Sequence, residues 1–425
     1  MHNRSRTTAA LFVAMLSIIG SARPADAKTV AIHHFNGRDG TSPVGPMLYD
    51  STGDLYGVTY YGGAAGAGVV YELSPPATRG GTWTETVLHD FAGGSDGAAP
   101  NRGLTFDRAG NIIGSTFGGG NCPDACGTIF ELSRPARRGG AWTETVLHRF
   151  HGPNFGDGGA PTGDLIFDRS GNLYGTATFG GLVACSISPG PCGIAFSLSP
   201  PSSPGGSWNE TVLYTFAGVP DGAFPGGGLA VDSHGDLYGT TEEGGSGKCT
   251  DGEGLVIGCG TAYRLQLSHG TWKESIIFDF HAAESGPGSD MVFDAAGRLY
   301  GASDYDVFRL QPPAMGGLWI ERLLYRFPEG ISGSIAESDV MFDGTGNLYG
   351  TTHASGLTGF GTVYELSPRP SDAAPWSLTT LHTYAGGFDA LMPSGGLVFG
   401  KNGVLYGATA RMDQSNPGYA IEVVP

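Results

Sequence analysis

The sequence predicts an all-β fold: a seven-bladed β-propeller of four-stranded blades, with the ring closed by the N-terminal strand. Three observations support this prediction. A turn motif, Asp-Arg-Ser-Gly-Asn-Leu-Tyr-Gly at residues 168–175, recurs along the chain at steps of 49 to 64 residues. Each copy lies among four short apolar segments separated by Gly, Pro, Asn and Asp. The last unit lacks its fourth segment, and a matching segment stands alone at the N-terminal end. A repeat of this length is typical of solenoids, propellers and arrays.

The turn motif predicts the hairpin between the first two strands of each unit. Its Asp side chain can bond to the backbone two residues on, while Gly and Asn accept a positive φ. In the third unit we predict strands at 164–168, 173–178, 193–199 and 208–216. A Tyr follows the Leu of most copies and is predicted to pack between neighbouring sheets. The copies begin at Asp50, Asp107, Asp168, Asp232, Asp294, Asp343 and, with the Asp replaced, Gly400.

The strand count predicts how the ring closes. Seven copies of the first three strands are present, but the Trp-introduced fourth strand occurs six times. Residues 29–35 align with 85–91, without the Trp, and have no partner strands of their own. We therefore expect the N-terminal strand to complete the last sheet, because a closed ring protects strand edges that would otherwise pair with other chains.

The N-terminal end resembles a secretory signal peptide. Arg4 and Arg6 precede an apolar run of about 11 residues and an Ala-Asp-Ala sequence at 25–27,. The run is shorter than the roughly 20 residues that span a bilayer. We therefore assign 1–27 to a signal peptide and 28–425 to a single propeller domain with no membrane span. We expect the protein to be secreted or periplasmic.

Composition limits the classes of partner. The chain has 40 acidic and 23 basic residues, for a formal charge of −17. This balance argues against nucleic acid and anionic membranes, which require basic patches. We expect a monomer that binds an extracellular ligand or protein.

The cysteines predict three local disulfides. They fall as pairs between the second and third strands of units two to four, and an even count in an exported chain favours disulfides. No Cys-x-x-Cys spacing or adjacent His supports a zinc site at these cysteines, so no metal or cofactor is predicted. The pairs are Cys122 with Cys126, Cys185 with Cys192, and Cys249 with Cys259.

Three motifs together resemble the GloVer tandem repeat of exported bacterial proteins with a choice of C-terminal anchors. They are Gly-Asn-Leu-Tyr-Gly-Thr-Thr at 346–352, Gly-Thr-Val-Tyr-Glu-Leu-Ser-Pro at 361–368, and the Trp-x-Glu-x-x-Leu-His-x-Phe pattern at 142–150. The resemblance covers nearly all of 28–425 and implies an exported repeat protein, with no established activity or catalytic residue. Pro425 follows the last strand directly, so we expect a free rather than anchored protein. More loosely, the units look like those of NHL and gluconolactonase-type propellers.

The candidate site lies where the repeat breaks after the second strand. An aromatic residue and two glycines are usual there, but blades four to seven carry charged or imidazole side chains instead. If these residues converge at the channel mouth, they could serve acid/base chemistry or bind a cation or sugar. The alternative is ordinary variation of exposed loops. The residues are Glu242, Glu243, Asp304, Asp306, His353 and Arg411.

Two functional hypotheses remain open, and the sequence does not decide whether the protein is an enzyme. The first is an exported non-catalytic module that binds a glycan, peptide or envelope partner through an aromatic patch. The second is an extracellular propeller hydrolase or lyase acting on a carbohydrate or lactone, with Glu242, Asp304 and His353 in one pocket. None of the common catalytic motifs is present. The aromatic patch would contain Tyr60, Tyr61, Phe117 and Phe179.

Two further recurring motifs are predicted to be structural. Asp-Gly-x-x-Pro segments are turn signals first and cation ligands only second. They begin at Asp39, Asp96, Asp157 and Asp221. A His near the end of the fourth strand alternates with Tyr and Phe between units, which indicates a packing position. It occurs at His33, His89, His148 and His382.

Overall fold

Seven four-stranded antiparallel sheets form the propeller predicted from the sequence. The computed structural model describes residues 27–78, 80–120, 122, 126–152, 154–203, 205–281, 286–314, 316–328, 339–353, 359–370, 374–385, 392–410 and 417–425. Across these ranges, no helix is long and apolar enough to cross a bilayer. The only helical elements described are two 3₁₀ turns, Gly94–Asp96 and Lys401–Gly403.

The chain begins with β1 (Lys28–His34) and then builds one blade after another. Blade 1 contains β2 (Thr41–Tyr49), β3 (Leu55–Tyr61), β4 (Val69–Ser74) and β5 (Thr84–Asp90). Blade 2 contains β6 (Ala98–Pro100), β7 (Thr105–Phe106), β8 (Ile112–Gly118), β9 (Thr128–Ser133) and β10 (Thr143–Arg149). Blade 3 contains β11 (Gly159–Pro161), β12 (Ile166–Phe167), β13 (Leu173–Phe179), β14 (Ile194–Ser199) and β15 (Asn209–Thr215).

The remaining blades follow the same order. Blade 4 contains β16 (Gly222–Ala223), β17 (Ala230–Val231), β18 (Leu237–Thr241), β19 (Glu243–Gly244), β20 (Thr261–Ser268) and β21 (Thr271–Asp279), with β16 and β19 pairing separately. Blade 5 contains β22 (Val292–Phe293), β23 (Leu299–Ala302), β24 (Asp306–Gln311) and β25 (Ile320–Arg326). Blade 6 contains β26 (Met341–Phe342), β27 (Leu348–Thr352), β28 (Thr362–Ser367) and β29 (Ser377–Thr383). Blade 7 contains β30 (Val398–Phe399), β31 (Leu405–Thr409) and β32 (Tyr419–Val424).

The fourth strand of blade 7 is β1, from the other end of the chain. It pairs antiparallel with β32, with Lys28 opposite Val424 and His34 opposite Tyr419. Blades 7 and 1 then share a hydrophobic core that includes Phe35, Tyr71 and Tyr406.

The Asp of the repeated motif organises the hairpin turn in blades 1 to 6, as the sequence predicts. Asp168 Oδ1 accepts hydrogen bonds from the backbone N–H of Ser170 at 2.7 Å and of Asn172 at 2.9 Å. Gly171 has a φ of 88°. The predicted positive φ at the Asn is wrong, because Asn172 instead keeps an ordinary φ and donates its side-chain amide to Asp168 Oδ2 at 2.8 Å. The Asn is therefore selected for its side chain rather than for its backbone.

Aromatic rings fill each blade interface. A fully buried ring on the third strand packs against the Phe that follows the fourth strand of the preceding blade, with ring centroids 5.0 to 5.2 Å apart. The recurring Tyr of the second strand meets the Trp of the next blade, as in Tyr56 with Trp142 at 6.1 Å and Tyr300 with Trp376 at 6.1 Å. These contacts confirm that the recurring Tyr is a packing residue.

The Gly of Leu-Tyr-Gly makes room for the buried ring of its own blade. A Cβ on Gly350 would overlap with the hydroxyl end of Tyr364, and the same conflict recurs in blades 1 to 5. In blade 7 the ring is replaced by Ile421, and a Cβ on Gly407 would lie 3.9 Å from it. In blades 1 to 6 glycine therefore stands at this position because a side chain would overlap with the buried ring, and not because of its backbone angle.

The six cysteines form the three predicted disulfides, each between the second and third strands of its blade. The Cα atoms of the bonded pairs are 5.1 to 5.9 Å apart, within the usual range for disulfides,. The pairs are Cys122–Cys126, Cys185–Cys192 and Cys249–Cys259.

Replacing the glycine of the Leu-Tyr-Gly sequence should have different effects in blades 6 and 7. We expect Gly350→Ala to lower the free energy of unfolding by about 1–3 kcal/mol, because the methyl group forces Tyr364 from its position,. Gly407→Ala should stay within about 1 kcal/mol of the wild type, because the lower entropy of its unfolded chain offsets a milder contact with Leu397,. Chemical denaturation of both variants measures the difference, and equal losses would contradict the account.

Candidate functional site

Glycine backbones pack against one another where the first strands meet the central channel. A Cβ on Gly163 would lie 2.5 Å from the Cα of Gly228 in the next blade. A Cβ on Gly395 would lie 2.5 Å from the carbonyl carbon of Gly45, across the junction of blades 7 and 1. Because main chains of adjacent blades touch here, the channel is narrow and its few side chains are brought close together.

Three aspartates occupy this narrow part of the channel. Asp164, Asp290 and Asp339 each direct a carboxylate oxygen to within 4.8 Å of the other two. Each carboxylate also accepts a backbone hydrogen bond from the preceding blade: Asp164 from Gly103 N–H at 2.8 Å, Asp290 from Gly228 N–H, and Asp339 from Asp290 N–H at 2.8 Å. The aspartates therefore link blade 2 to 3, 4 to 5, and 5 to 6.

Arg102 supplies the opposite charge. Its Nη2 donates to the carbonyl oxygen of Gly226 at 3.0 Å. Burial lowers the pKa of Arg102, but Asp339, Asp290 and Asp164 raise it and prevail, so the guanidinium stays charged,. The oxygens of the three aspartates are close enough to hold a cation, but this arginine already offsets part of their charge.

The aspartates share protons because they are buried together. Burial, followed by the charge of Asp339, raises the pKa of Asp164 to about 6, against the opposing effects of Arg102 and Gly103 N–H. Burial and the charges of Asp339 and Asp164 raise the pKa of Asp290 well above its ordinary value. The cluster therefore holds a proton up to a higher pH than three separate carboxylates would,.

A cavity of about 570 Å³ opens at the channel mouth, with walls from all seven blades. Arg102 and Asp339 of the channel cluster line it, together with Asn101, Ser303 and Ser394. Five residues that the sequence singles out line the same cavity: Tyr60, Tyr61, Glu242, Asp304 and His353. The structure therefore brings together side chains from blades 1, 4, 5 and 6.

Local contacts fix two of these side chains. The Glu242 carboxylate lies against Gly226 and Gly288, where a Cβ would collide with its Oε1. Since Gly226 also accepts the Arg102 hydrogen bond, Glu242 and the arginine meet at one segment of backbone. His353 Nδ1 is 3.1 Å from the carbonyl oxygen of Pro393. Burial lowers the pKa of His353 despite this contact, so its imidazole is neutral at pH 7,.

The aromatic and carboxylate residues differ in burial. The Tyr60 and Tyr61 rings meet edge to face with centroids 4.7 Å apart. Burial, then the Tyr61 ring, raises the pKa of Tyr60. Glu242 is exposed at the cavity wall, whereas the aspartates below it are less accessible to solvent. The mouth therefore places the exposed carboxylate of Glu242 above the cluster of Arg102 and the three aspartates.

The other predicted site residues lie away from the cavity lining or outside the described residues. Asp306 is the first residue of β24 and binds Arg326 Nε at 2.8 Å, so it belongs to an ion pair between strands. Glu243 lies on β19 opposite Ala223. Phe179 packs against Phe224 with centroids 6.1 Å apart. Phe117 lies on β8, also outside the cavity lining. Arg411 lies outside the described residues.

Sequence reasoning missed the cluster of Arg102 and the three aspartates, although a signal was present. Asp164, Asp290 and Asp339 occupy one repeat position, immediately before the apolar residue of the first strand. Glycine or proline fills that position in the other four blades: Gly103, Gly228, Gly396 and Pro46. Comparing the copies at this position would have identified the three carboxylates.

A family comparison agrees with the repeat architecture. A model described as the Gloeobacter/Verrucomicrobia repeat matches residues 16–251, more than half of the chain. The chain belongs to this family. The resemblance drawn from the three sequence motifs is therefore confirmed. No curated protein matches the sequence.

Several solved structures are similar to this Gloeobacter/Verrucomicrobia repeat protein at low identity, and the first two below share its fold. The extracellular domain of a B. thetaiotaomicron protein described as a hybrid two-component system has a TM-score of 0.54 and 11% identity, covering 94% of this chain and 42% of that one. A fungal alcohol oxidase of the AA5 family, in complex with copper, has a TM-score of 0.54 and 14% identity, covering 94% and 76%. A gluconolactonase from Xanthomonas campestris has a TM-score of 0.39 and 17% identity, covering 77% and 87%.

The proton held by the channel aspartates predicts a specific pH dependence. Because the pKa of Asp290 is raised in the folded protein, its contribution to stability is complete below the ordinary value of 3.8 and is lost as pH rises,. In the Asp290→Asn variant the side-chain amide oxygen can still accept the hydrogen bond from Gly228 N–H, but the side chain carries no charge. We therefore expect this variant to gain in melting temperature relative to the wild type as the pH rises above about 4.

A turn aspartate provides the matched control. Burial raises the pKa of Asp343, but hydrogen bonds from Asn347 and Thr345 prevail and lower it, so its contribution is present above pH 3.8. Asp343→Asn should therefore be less stable than the wild type by a constant amount above pH 3.8, where the gain of Asp290→Asn grows with pH,. Calorimetric melting at several pH values tests both. The same trend in the two variants would contradict the assignment.

Proposed function

We propose that the protein is an extracellular or periplasmic binding module that takes a neutral saccharide in the channel mouth. The observation that supports this most directly is the convergence of Tyr60, Glu242, Asp304 and His353 on one cavity. Its volume of about 570 Å³ lies within the range of roughly 300–1,000 Å³ that is usual for small-molecule sites,. The walls come from separate blades of a rigid ring, so the cavity exists before any ligand enters.

The mixture of polar groups favours a ligand rich in hydroxyls. Carboxylates such as Glu242 and Asp304 accept hydrogen bonds, whereas Arg102 donates them and Ser303 can do either,. A hydroxyl both donates and accepts, so a sugar can satisfy neighbouring groups of opposite kind. The ring of Tyr60 adds a flat surface for the apolar face of a sugar.

Charge favours a neutral ligand over a polyanionic one. The chain carries a formal charge of −17, and three carboxylates line the cavity. Long-range repulsion would slow the approach of an acidic glycan, and a buried carboxylate facing another carboxylate would weaken its binding.

The compartment is inferred from the cysteines. Three disulfides persist in oxidising surroundings and are rare where cytosolic thiols keep cysteines reduced,. A signal peptide at 1–27 would deliver the chain there; residues 1–26 of it lie outside the described residues.

Isothermal titration calorimetry with a panel of neutral and uronic-acid oligosaccharides tests the proposal. We expect a neutral oligosaccharide to bind, and Glu242→Gln to weaken it roughly tenfold or more, because a hydrogen bond to a charged group contributes about 1.5–3 kcal/mol. Tyr60→Ala should weaken the binding of the same oligosaccharide, because the variant lacks the aromatic ring against which the sugar stacks.

Glu243→Gln is the matched control, because Glu243 is the next residue in sequence but lies outside the cavity lining. It should bind as the wild type does. The proposal fails if none of the neutral oligosaccharides binds, if acidic ones bind as well as neutral ones, or if the two Gln variants lose the same affinity.

A hydrolase or lyase acting on a carbohydrate or lactone is the second candidate, and the setting of His353 favours it. With Nδ1 protonated and donating to the Pro393 carbonyl, Nε2 keeps its lone pair and can accept a proton,. The lowered pKa keeps this nitrogen unprotonated at neutral pH,. Release of reducing ends or hydroxy acid by the wild type, lost in His353→Gln while binding persists, would favour catalysis over binding alone.

A further inference from the structure

A second group of polar residues recurs at four of the interfaces between blades, outside the lining of the mouth cavity. The ring at the end of a fourth strand faces the Asp of the turn that leads to the following blade. His Nε2 and the carboxylate are 3.3 Å apart at two interfaces and 3.8 Å at a third, and a Tyr hydroxyl donates at 3.1 Å in the fourth. The pairs are His33 with Asp39, His89 with Asp96, His148 with Asp157, and Tyr214 with Asp221.

A glutamate from the next blade completes each of these groups. Burial first, and then the charge of the facing Asp, raises the pKa of each glutamate to about 7 or 8. At the interface of blades 2 and 3, His148, Asp157 and Glu210 bring one potential ligand atom each to within 4.8 Å of the others. The glutamates are Glu85, Glu144, Glu210 and Glu274.

The interface of blades 2 and 3 differs from the others by a second imidazole. His151 Nδ1 lies 2.5 Å from Asp157 Oδ2, on the same carboxylate that faces His148. The corresponding position, directly after the Phe that ends the fourth strand, holds Asn36, Ala92 and Ala217 at the other three interfaces. Two imidazoles and two carboxylates therefore meet at this interface.

Several of these atoms are buried and unsatisfied. His148 Nε2, Asp157 Oδ1 and Glu210 Oε1 have almost no accessible surface and no hydrogen-bond partner among the residues that the structure describes. The side chains of His148 and Asp157 are each 15% exposed. Buried polar atoms without partners cost free energy. The equivalent His Nε2 and Glu Oε1 atoms are also unpartnered at the His33 and His89 interfaces, but among the described residues only this interface adds ligand atoms from three side chains within 4.8 Å of one another.

The donor set suits a divalent transition metal. Imidazole nitrogen and carboxylate oxygen both bind Zn²⁺ at about 2.0–2.2 Å in tetrahedral geometry, which places ligand atoms roughly 3.4 Å apart. Ca²⁺ prefers six to eight oxygen ligands and no nitrogen, so it fits this set poorly.

We propose that His148, Asp157 and Glu210 bind one zinc-like divalent metal ion between blades 2 and 3, and that His151 orients the Asp157 carboxylate through its hydrogen bond to Oδ2,. The ligands come from β10, from the connection that follows it, and from β15, so the ion ties the outer strands of two blades together. Gly152 in this connection packs against the Cys122–Cys126 disulfide, where a Cβ would lie 2.6 Å from Cys126 Sγ. The neighbouring cysteines are oxidised and supply no ligand.

Calorimetric titration of untagged, EDTA-treated protein with ZnCl₂ tests the site. We expect one Zn²⁺ per chain and a higher melting temperature in its presence, since an ion that binds only the folded chain stabilises it. His151→Ala and Asp157→Asn should each lower the affinity by roughly tenfold or more. Bound Co²⁺ should give the strong visible absorption of a tetrahedral site in the wild type and not in either variant.

Asp96→Asn is the matched control, because Asp96 faces His89 in the same way but has Ala92 in place of the second imidazole. Its zinc affinity should equal that of the wild type. The proposal is overturned if the wild type binds no stoichiometric Zn²⁺, if Asp96→Asn loses as much affinity as Asp157→Asn, or if CaCl₂ binds the same site as tightly as ZnCl₂.

Discussion

The structure depends on the contact between the buried third-strand ring of one blade and the Phe that ends the preceding blade. With ring centroids 5.0 to 5.2 Å apart at six interfaces, this contact sets the spacing from one blade to the next. It also explains the conserved spacing within each copy, because the ring needs the glycine of the second strand beneath it. Where Ile421 replaces the ring, the space above Gly407 is less crowded. In each blade, therefore, the residues of the local motif are those that the packing between blades requires.

A fixed spacing between blades brings the first strands so close that only small residues fit at most positions along the channel. The three aspartates that interrupt this pattern reach back to the main chain of the preceding blade, and one arginine offsets their charge. Above them the cavity widens into a mouth whose walls are loops from separate blades. A rigid ring with a charged floor and variable walls is suited to holding a small polar ligand, since specificity can change without altering the scaffold.

Much of this arrangement can be predicted from the sequence, because each unit contains the same strand and turn motifs. The strands of the third unit, the Asp-centred turns and the three disulfides appear as predicted. The grouping of Glu242, Asp304 and His353 in one cavity follows from their shared place after the second strand. Asp306 does not join them because the connection in blade 5 is so short that this residue already begins β24 and pairs with Arg326. Arg102, the channel aspartates and His151 depend on contacts between blades, which are visible in the sequence only when single repeat positions are compared.

The central claim is that the mouth of the channel binds a neutral saccharide. A crystal structure of the protein grown with the tightest-binding neutral oligosaccharide tests it most directly. The account predicts a sugar ring against Tyr60, with hydroxyls in hydrogen-bond contact with Glu242 and Asp304 and no movement of the blades. Sugar density on the outer strands or on the opposite face of the ring, with the mouth filled only by water, would contradict it.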